Sequence, residues 1–302
     1  MINVRQGKAK SGGLEIHYED MGSPDDPAVL LVMGLGAQLV WWRTGFCERL
    51  VDQGLRVIRY DNRDVGLSSK LHGQKVNKAL APRLIRSYAG LRNPAVYSLE
   101  DMADDAAALL DHLDIDRAHV VGASMGGMIG QIFAARHAHR LTTLGVIMSS
   151  NNMPGLPPPG PRQLLAIITG PPADSPRHVI VENAVRVSRI MGGSAYRQSE
   201  EQIRAEAIED YDRSFYPVGV ARQFDAILGS GSLLRYDRRI AAPTVVIHGK
   251  DDKLLRPSGG RAVARAIPGA RLVLYDGVGH ELPEDLWDDI VGELRTTFAE
   301  AG

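Results

Sequence analysis

Ala118-His119-Val120-Val121-Gly122-Ala123-Ser124-Met125-Gly126-Gly127-Met128-Ile129-Gly130-Gln131-Ile132-Phe133 runs from a short apolar segment, through a glycine-flanked serine, into a helical pattern. The pattern G-x-S-x-G is weak alone, since chance gives roughly 0.2 matches in a chain of this length. Its context is specific: the apolar run ends at Gly122, and Met128, Ile129, Ile132 and Phe133 fall on one side of the following helix. Such a strand–turn–helix is tight enough to demand small neighbours, which Gly122 and Gly126 supply, and Gly127 lets the helix pack close. It presents the Ser124 hydroxyl at a helix N-terminus, where backbone N–H groups favour negative charge.

Outward from this turn, strand and helix signals alternate. Leu14 to Glu19 alternates apolar and polar residues. Ala28–Met33, Arg56–Tyr60, Leu141–Met148, Thr244–Ile247 and Arg271–Tyr275 are short apolar runs suited to buried strands. Helical patterns cover Leu99–Leu113, Met125–Arg136, Gly259–Ile267 and Leu286–Phe298. This alternation predicts an α/β protein with a mainly parallel sheet flanked by helices. From Asn151 to about Tyr236 strand signals vanish; a Pro/Gly-rich start leads into helical patterns at Val179–Met191 and Glu200–Arg213. The expectation is a core of residues 1–150 and 240–302, with residues 151–239 forming a helical cap over the strand ends.

A serine hydroxyl is a weak nucleophile until a base takes its proton and a third group orients the base. On such a turn the partners are expected in the order acid, then histidine. Gly249-Lys250-Asp251-Asp252 follows a strand, and spacing alone does not choose between Asp251 and Asp252. Of nine histidines, His280 follows both the serine and the acid and stands just after the last strand. His112, His137 and His139 lie near helix ends and read as solvated; His17, His119 and His248 lie in or beside strands and read as packed or hydrogen-bonded. An acyl-transfer oxyanion needs two amide donors, for which Met125 and Leu35, in Met33-Gly34-Leu35-Gly36, are the candidates. Trp41 and Trp42 suit an acyl-pocket wall or a gate beneath the cap, the alternative being that one packs the next helix. A competing reading takes Gly34-Leu35-Gly36 and Asp61 as a dinucleotide-binding unit. Leu39 at the third glycine position argues against it, since that side chain would obstruct helix–strand approach.

The chain has 302 residues, 44% of them hydrophobic and 24% charged, a globular balance that excludes disorder as the main state. Thirty-five Lys and Arg against 36 Asp and Glu leave a formal charge of −1, unlike a nucleic-acid binder. One cysteine, Cys47, cannot form an internal disulfide. Neither a signal peptide nor a membrane-spanning run is visible, so a cytoplasmic protein is expected. From Val65 to Leu99 no acidic residue occurs, while Lys70, Lys75, Lys78, Arg83, Arg86 and Arg92 interleave with Leu80, Leu84, Ile85, Tyr88 and Leu91. This 70–92 basic segment is the candidate for weak association with an anionic membrane surface.

With these residues in place the chain resembles the α/β-hydrolase family over nearly its whole length. More narrowly it is similar to actinobacterial esterases and lipases of the mycobacterial lipase G type. The strings that carry the likeness are Val32-Met33-Gly34-Leu35-Gly36-Ala37-Gln38, Arg59-Tyr60-Asp61-Asn62-Arg63-Asp64-Val65-Gly66-Leu67-Ser68, Gly122–Gly127, His248-Gly249-Lys250-Asp251-Asp252 and Gly279-His280. Anthracycline methylesterases and cofactor-free haloperoxidases look like more distant relatives. The family's acid turn sets its aspartate three residues after the glycine, which implies Asp252. Its Asp61–Ser68 counterpart is a structural turn, which further weakens the dinucleotide reading. Many relatives carry His-Gly where this chain has Met33-Gly34, a departure expected to alter packing but not catalysis. The resemblance implies a serine esterase or lipase acting on a small-molecule or lipid ester, with no metal or cofactor. A thioesterase or phospholipase is the alternative within enzymes, and a catalytically silent binding protein the alternative outside them.

Overall fold

The computed structural model describes residues 2–74 and 80–301. Eight strands form one sheet in the order β1-β2-β4-β3-β5-β6-β7-β8. Strands β1 (Val4–Ser11) and β2 (Leu14–Met21) pair antiparallel, as do β2 and β4 (Arg56–Tyr60). The remaining strands, β3 (Ala28–Val32), β5 (Ala118–Ala123), β6 (Leu141–Ile147), β7 (Thr244–Gly249) and β8 (Arg271–Tyr275), run parallel to β4 and to one another. The α/β architecture is therefore the expected one. β1 lay outside the expectation because Arg5, Gly7, Lys8 and Lys10 leave it no apolar run. Such charges protect an exposed sheet edge from pairing with another chain.

Helices α1 (Thr44–Val51), α2 (Leu80–Tyr88), α3 (Leu99–His112) and α4 (Met125–Arg136) precede β6. Between β6 and β7 come α5 (Pro161–Ile168), α6 (Arg177–Met191), α7 (Glu200–Arg213), α8 (Pro217–Ser230) and α9 (Leu234–Asp237), with no strand among the described residues. Helices α10 (Pro257–Ala266) and α11 (Trp287–Ala299) close the chain. Alternate strand residues face opposite sides of the sheet. Leu30, Val32, Ile58, Val120, Leu144 and Val246 pack with α3, α4 and α10 on one side. Val29, Leu31, Val57, Val121, Val245 and Ile247 pack with α1 and α11 on the other. Central strands buried on both faces are why their sequences read as continuous apolar runs.

The inserted helices divide in two. Val181, Val185, Ile203 and Ala207 give α6 and α7 a small core separate from the two beneath the sheet faces. Helix α8 instead turns polar side chains inward: Arg222, Gln223 and Asp225 are buried while Val218 is exposed. Arg222 makes a bidentate ion pair with buried Asp64 at 2.8 and 2.7 Å, and Asp225 pairs with Arg83. Among the described residues no helix is long and apolar enough to cross a membrane.

One buried carboxylate makes a stability prediction. Asp237 on α9 is fully buried, accepts a hydrogen bond from Asn151 at 2.8 Å, and burial pushes its carboxyl up to about 7. The unfolded chain ionises it near pH 3.9, so native stability is lost progressively as pH rises from about 4 to about 7. Asp237→Asn removes that loss. It is expected to stabilise by roughly 1–3 kcal/mol near pH 8 and to change little near pH 4. Urea unfolding at the two pH values checks this, and an equal shift at both would contradict it.

Candidate active site

Strand β5 ends in the middle of the sheet, and the chain turns at once into α4. Ser124 sits at that turn with φ 56° and ψ −119°, a backbone setting that L side chains seldom adopt. Close packing enforces it. A Cβ on Gly122 would lie 2.1 Å from the Gly126 carbonyl oxygen, and one on Gly126 would lie 2.0 Å from that of Val32. The Ser124 carbonyl accepts from the Ser149 hydroxyl at 2.7 Å, fixing the turn from the β6 side.

Asp252 follows β7 and His280 follows β8, at the same strand ends as Ser124. His280 Nε2 lies 3.0 Å from Ser124 Oγ, and His280 Nδ1 lies 2.8 Å from Asp252 Oδ2. The other carboxylate oxygen, Oδ1, accepts the backbone amides of Leu254 and Leu255 at 2.8 and 3.0 Å. Burial pushes the Asp252 carboxyl up. The charge of His280 and the hydrogen bonds from His248 and His280 outweigh that, holding it well below the usual carboxylate range. The neighbouring Asp251 points elsewhere, accepting from the amide and hydroxyl of Ser194. The ambiguity between the two aspartates thus has a geometric answer: only Asp252 touches the imidazole.

The other histidines divide much as their positions suggest. His119 hydrogen-bonds Thr143 at 2.9 Å and stacks on Phe298, and burial pushes its imidazole down to about 4. His248 is buried with Nε2 2.6 Å from the Leu255 carbonyl and 3.3 Å from Asp252 Oδ2. A carbonyl only accepts, so that nitrogen carries the hydrogen and His248 supports the acid from behind. His139 is exposed. His112 and His137 are less free than expected, one meeting the Tyr18 hydroxyl at 3.3 Å and the other Asp104 at 2.8 Å.

The Gly34–Ala37 loop follows β3 and lies against the serine: a Cβ on Gly34 would stand 3.0 Å from Ser124 Cβ. The Ala37 amide donates to the Gly34 carbonyl at 3.3 Å, and Gly36 has φ 69°, as the third residue of a type II turn requires. Among the described residues neither the Leu35 nor the Met125 amide is spent on a protein acceptor. Both lie beside Ser124, on the loop facing it and at the start of α4. Met33 packs into the core with Trp42 and Phe46.

The inserted helices hold this assembly. The His280 amide donates to Met191 at the end of α6 (2.8 Å), and a Cβ on Gly279 would come within 2.4 Å of that same carbonyl oxygen. Gln38, just past the loop, donates to the carbonyls of Asp210 and Ser214 and accepts from Arg213 at 2.6 Å. Trp41 is 41% exposed and donates to Asp210 on α7 at 3.1 Å. Burial pushes the Asp210 carboxyl up to about 6. Trp42 is not brought to the site. It is fully buried, stacked on Phe46 of α1 at 5.4 Å, so the packing alternative holds for it.

Asp61 and the basic segment complete the set of residues singled out above. Asp61 accepts the amides of Leu39 and Leu67 at 2.7 and 2.8 Å and pairs with Arg213 at 2.8 Å. A buried carboxylate so occupied braces the turn, and Gly66 is needed because a Cβ there would meet it at 2.1 Å. No ribose contact is left to it. Of the basic segment, Arg83 is buried against Asp225, Arg92 pairs with Glu100, and Lys70 donates to the Gly66 and Ser68 carbonyls. Lys75 and Lys78 lie outside the described residues. Arg83 therefore adds no charge to the surface. A groove of about 960 Å³ runs between α5, α6 and the start of α7, bordered by Asp251, Lys253 and Glu281. Its lining includes chain neighbours of Asp252 and His280 but neither Ser124 nor His280.

A family model described as alpha/beta hydrolase fold matches residues 27–285. The rhodomycin D methylesterase of Streptomyces peucetius is 30% identical over 293 residues, with 88% of each chain covered. A poly(3-hydroxyalkanoate) depolymerase of Ectopseudomonas oleovorans is 29% identical over 261 residues, covering 86% of this chain and 80% of that one. The crystal structure of the enol-lactonase from Burkholderia xenovorans LB400 superposes with a TM-score of 0.73 at 25% identity. The match covers 97% of this chain and all of the lactonase.

Proposed function

The chain belongs to the alpha/beta hydrolase fold family, and from there we propose that it is a serine hydrolase of carboxylic esters, of the esterase and lipase type. The observation that carries this reading is the unbroken relay from Ser124 Oγ through His280 to Asp252, at 3.0 and 2.8 Å. The three relatives named above act, by their names, on a methyl ester, a polyester and a lactone, which supports the ester as the bond broken.

In this mechanism Ser124 Oγ attacks the ester carbonyl as His280 Nε2 takes its proton, and the carbonyl oxygen becomes an oxyanion between the Leu35 and Met125 amides. Collapse expels the alcohol, which leaves with the proton from His280. Water then adds to the acyl-enzyme with His280 again as base, and the acid is released with Ser124 restored. Asp252 stays ionised throughout and stabilises the imidazolium. Residues 151–239 serve as the cap, with Trp41 at the rim of the acyl pocket. Exposed Ile85, Tyr88 and Leu91 beside Arg86 support lipid esters and an anionic lipid surface as the setting, with a cytoplasmic location.

A fluorophosphonate probe, followed by p-nitrophenyl esters of short, medium and long acyl chains, tests the reading. Labelled wild type, unlabelled Ser124→Ala and ester turnover are the expected results. Faster turnover of acyl-thioesters or phospholipids would move the protein to the thioesterase or phospholipase alternative. Folded wild type that takes up no probe, with or without detergent, would leave a silent fold and sink the proposal.

A further inference from the structure

The inserted helix α8 reaches the loop that faces the serine through one side chain. Gln223 is fully buried. Its Oε1 accepts from the Gly36 amide at 2.8 Å, and its Nε2 donates to the Arg63 carbonyl at 2.8 Å. The amide orientation follows from its partners: a backbone N–H only donates and a carbonyl only accepts, so a flipped Gln223 would lose both bonds. Helix α8 is itself immobilised on the core. Arg222 grips Asp64 at 2.8 and 2.7 Å, and a Cβ on Gly219 would stand 2.1 Å from the Asp64 carbonyl oxygen. A Cβ on Gly36 would meet the Val220 methyl at 3.0 Å, so the same helix also covers the outer side of the turn.

We propose that Gln223 is a positioning residue for the oxyanion loop, holding the turn by its Gly36 amide so that the Leu35 amide, on the adjoining Gly34–Leu35 peptide, points at the developing oxyanion. This rests on the catalytic reading above. The physical argument concerns a soft hinge. Gly36 at φ 69° is free to rotate, and the turn is otherwise closed by a single long hydrogen bond of 3.3 Å from Ala37 to Gly34. The Leu35 N–H lies on the Gly34–Leu35 peptide, with a glycine at either end of the Gly34-Leu35-Gly36 stretch, so an untethered turn can rock between Gly34 and Gly36 and carry that N–H with it. Gln223 supplies the tether at the Gly36 N–H. With the acceptor removed, the turn samples orientations in which the Leu35 donor no longer meets the charge. Donors aimed at a transition-state charge act on kcat and leave substrate binding nearly untouched.

The variants are Gln223→Met, which keeps length and volume but accepts only weakly, and Gln223→Glu. A buried glutamate is neutral, so its carbonyl accepts from Gly36 and its hydroxyl donates to Arg63. Active sites are titrated with the fluorophosphonate, so misfolded protein does not count. For Gln223→Met, kcat on a p-nitrophenyl ester is expected to fall about 10- to 100-fold with KM within about twofold. The inhibition constant of a trifluoromethyl ketone, which forms a tetrahedral adduct on the serine, is expected to rise by a similar factor. Gln223→Glu is expected to keep kcat within about threefold. Folded Gln223→Met with kcat within twofold of wild type would overturn the proposal. So would a fall in KM-linked binding alone, or a Gln223→Glu variant as impaired as Gln223→Met. Should Gln223→Met not fold, the Gln223→Glu result decides by itself. Wild type inactive on every ester defeats the catalytic reading and this inference with it, whereas active wild type with unaffected variants defeats this inference alone.

Discussion

Asp252→Asn is expected to lower kcat on esters by about ten-thousand-fold while the protein stays folded. The reason lies in which oxygen does what. Oδ1 already accepts two backbone amides, from Leu254 and Leu255, so an asparagine places its own oxygen there. Its NH₂ group then faces His280 Nδ1, where Oδ2 now sits at 2.8 Å. A donor facing Nδ1 requires that nitrogen to be bare, which puts the imidazole hydrogen on Nε2. That nitrogen can then no longer take the Ser124 proton. Asp251→Asn, one residue away and bonded to Ser194, is expected to stay within about twofold. Because Asp252 is held well below the usual carboxylate range, its own titration should not appear in the wild-type profile above about pH 4. Steady-state kinetics on both variants checks the pair, and an Asp252→Asn enzyme retaining a tenth of wild-type kcat would refute the assignment.

The second large effect is on folding. Gly126→Ala brings a methyl group within 2.0 Å of the Val32 carbonyl carbon's oxygen and 2.9 Å of that of Met33, both backbone atoms that no rotamer change can relieve. To admit it, α4 must move away from β3, and the buried faces of Met125, Met128, Ile129 and Phe133 would move with it. A loss of at least about 4 kcal/mol is expected, enough to leave little native protein. Gly292→Ala is the matched control: on α11 its Cβ would meet nothing within 4 Å. Helix propensity alone then acts, and a gain of about 0.5–1 kcal/mol is expected. Soluble yield and urea unfolding separate the two, and a stable, well-folded Gly126→Ala would show that the elbow is looser than its contacts imply.

What the sequence made legible, and what it hid, follows from the range of the interactions involved. Strands β3, β4 and β5 and helix α4 announce themselves because burial on one or both faces writes an apolar period into consecutive residues. The serine, the histidine and the two candidate aspartates are legible through order along the chain and position after strands. Choosing Asp252 needed either the family's spacing or the observed contact with His280. Helix α8 carried a weaker signal, since Arg222, Gln223 and Asp225 share its inward face with Ala226 and Leu228, and each of the three polar residues bonds to a partner far away in sequence. Polar residues read as surface until those partners are known. Gln223 meets Gly36 across 187 positions, and no local pattern encodes that. Trp42 stays open between two roles for a different reason. An aromatic pair beside a catalytic loop looks the same in sequence whether it lines a pocket or packs against Phe46.

The separate apolar cluster of α6 and α7 has a consequence for how this scaffold can be rebuilt. Val181, Val185, Ile203 and Ala207 stabilise that hairpin largely from within, without drawing on either core beneath the sheet. If residues 151–239 act as the proposed cap, that hairpin is the unit to exchange as a cassette, with the strands and α8 left alone. The seams of such a graft are set by the polar contacts. The Met191 carbonyl, which accepts the His280 amide, lies between the two helices and has to be reproduced by the graft, and the second splice point belongs before Asp210, so that the Asp210 and Ser214 carbonyls keep their hold on Gln38.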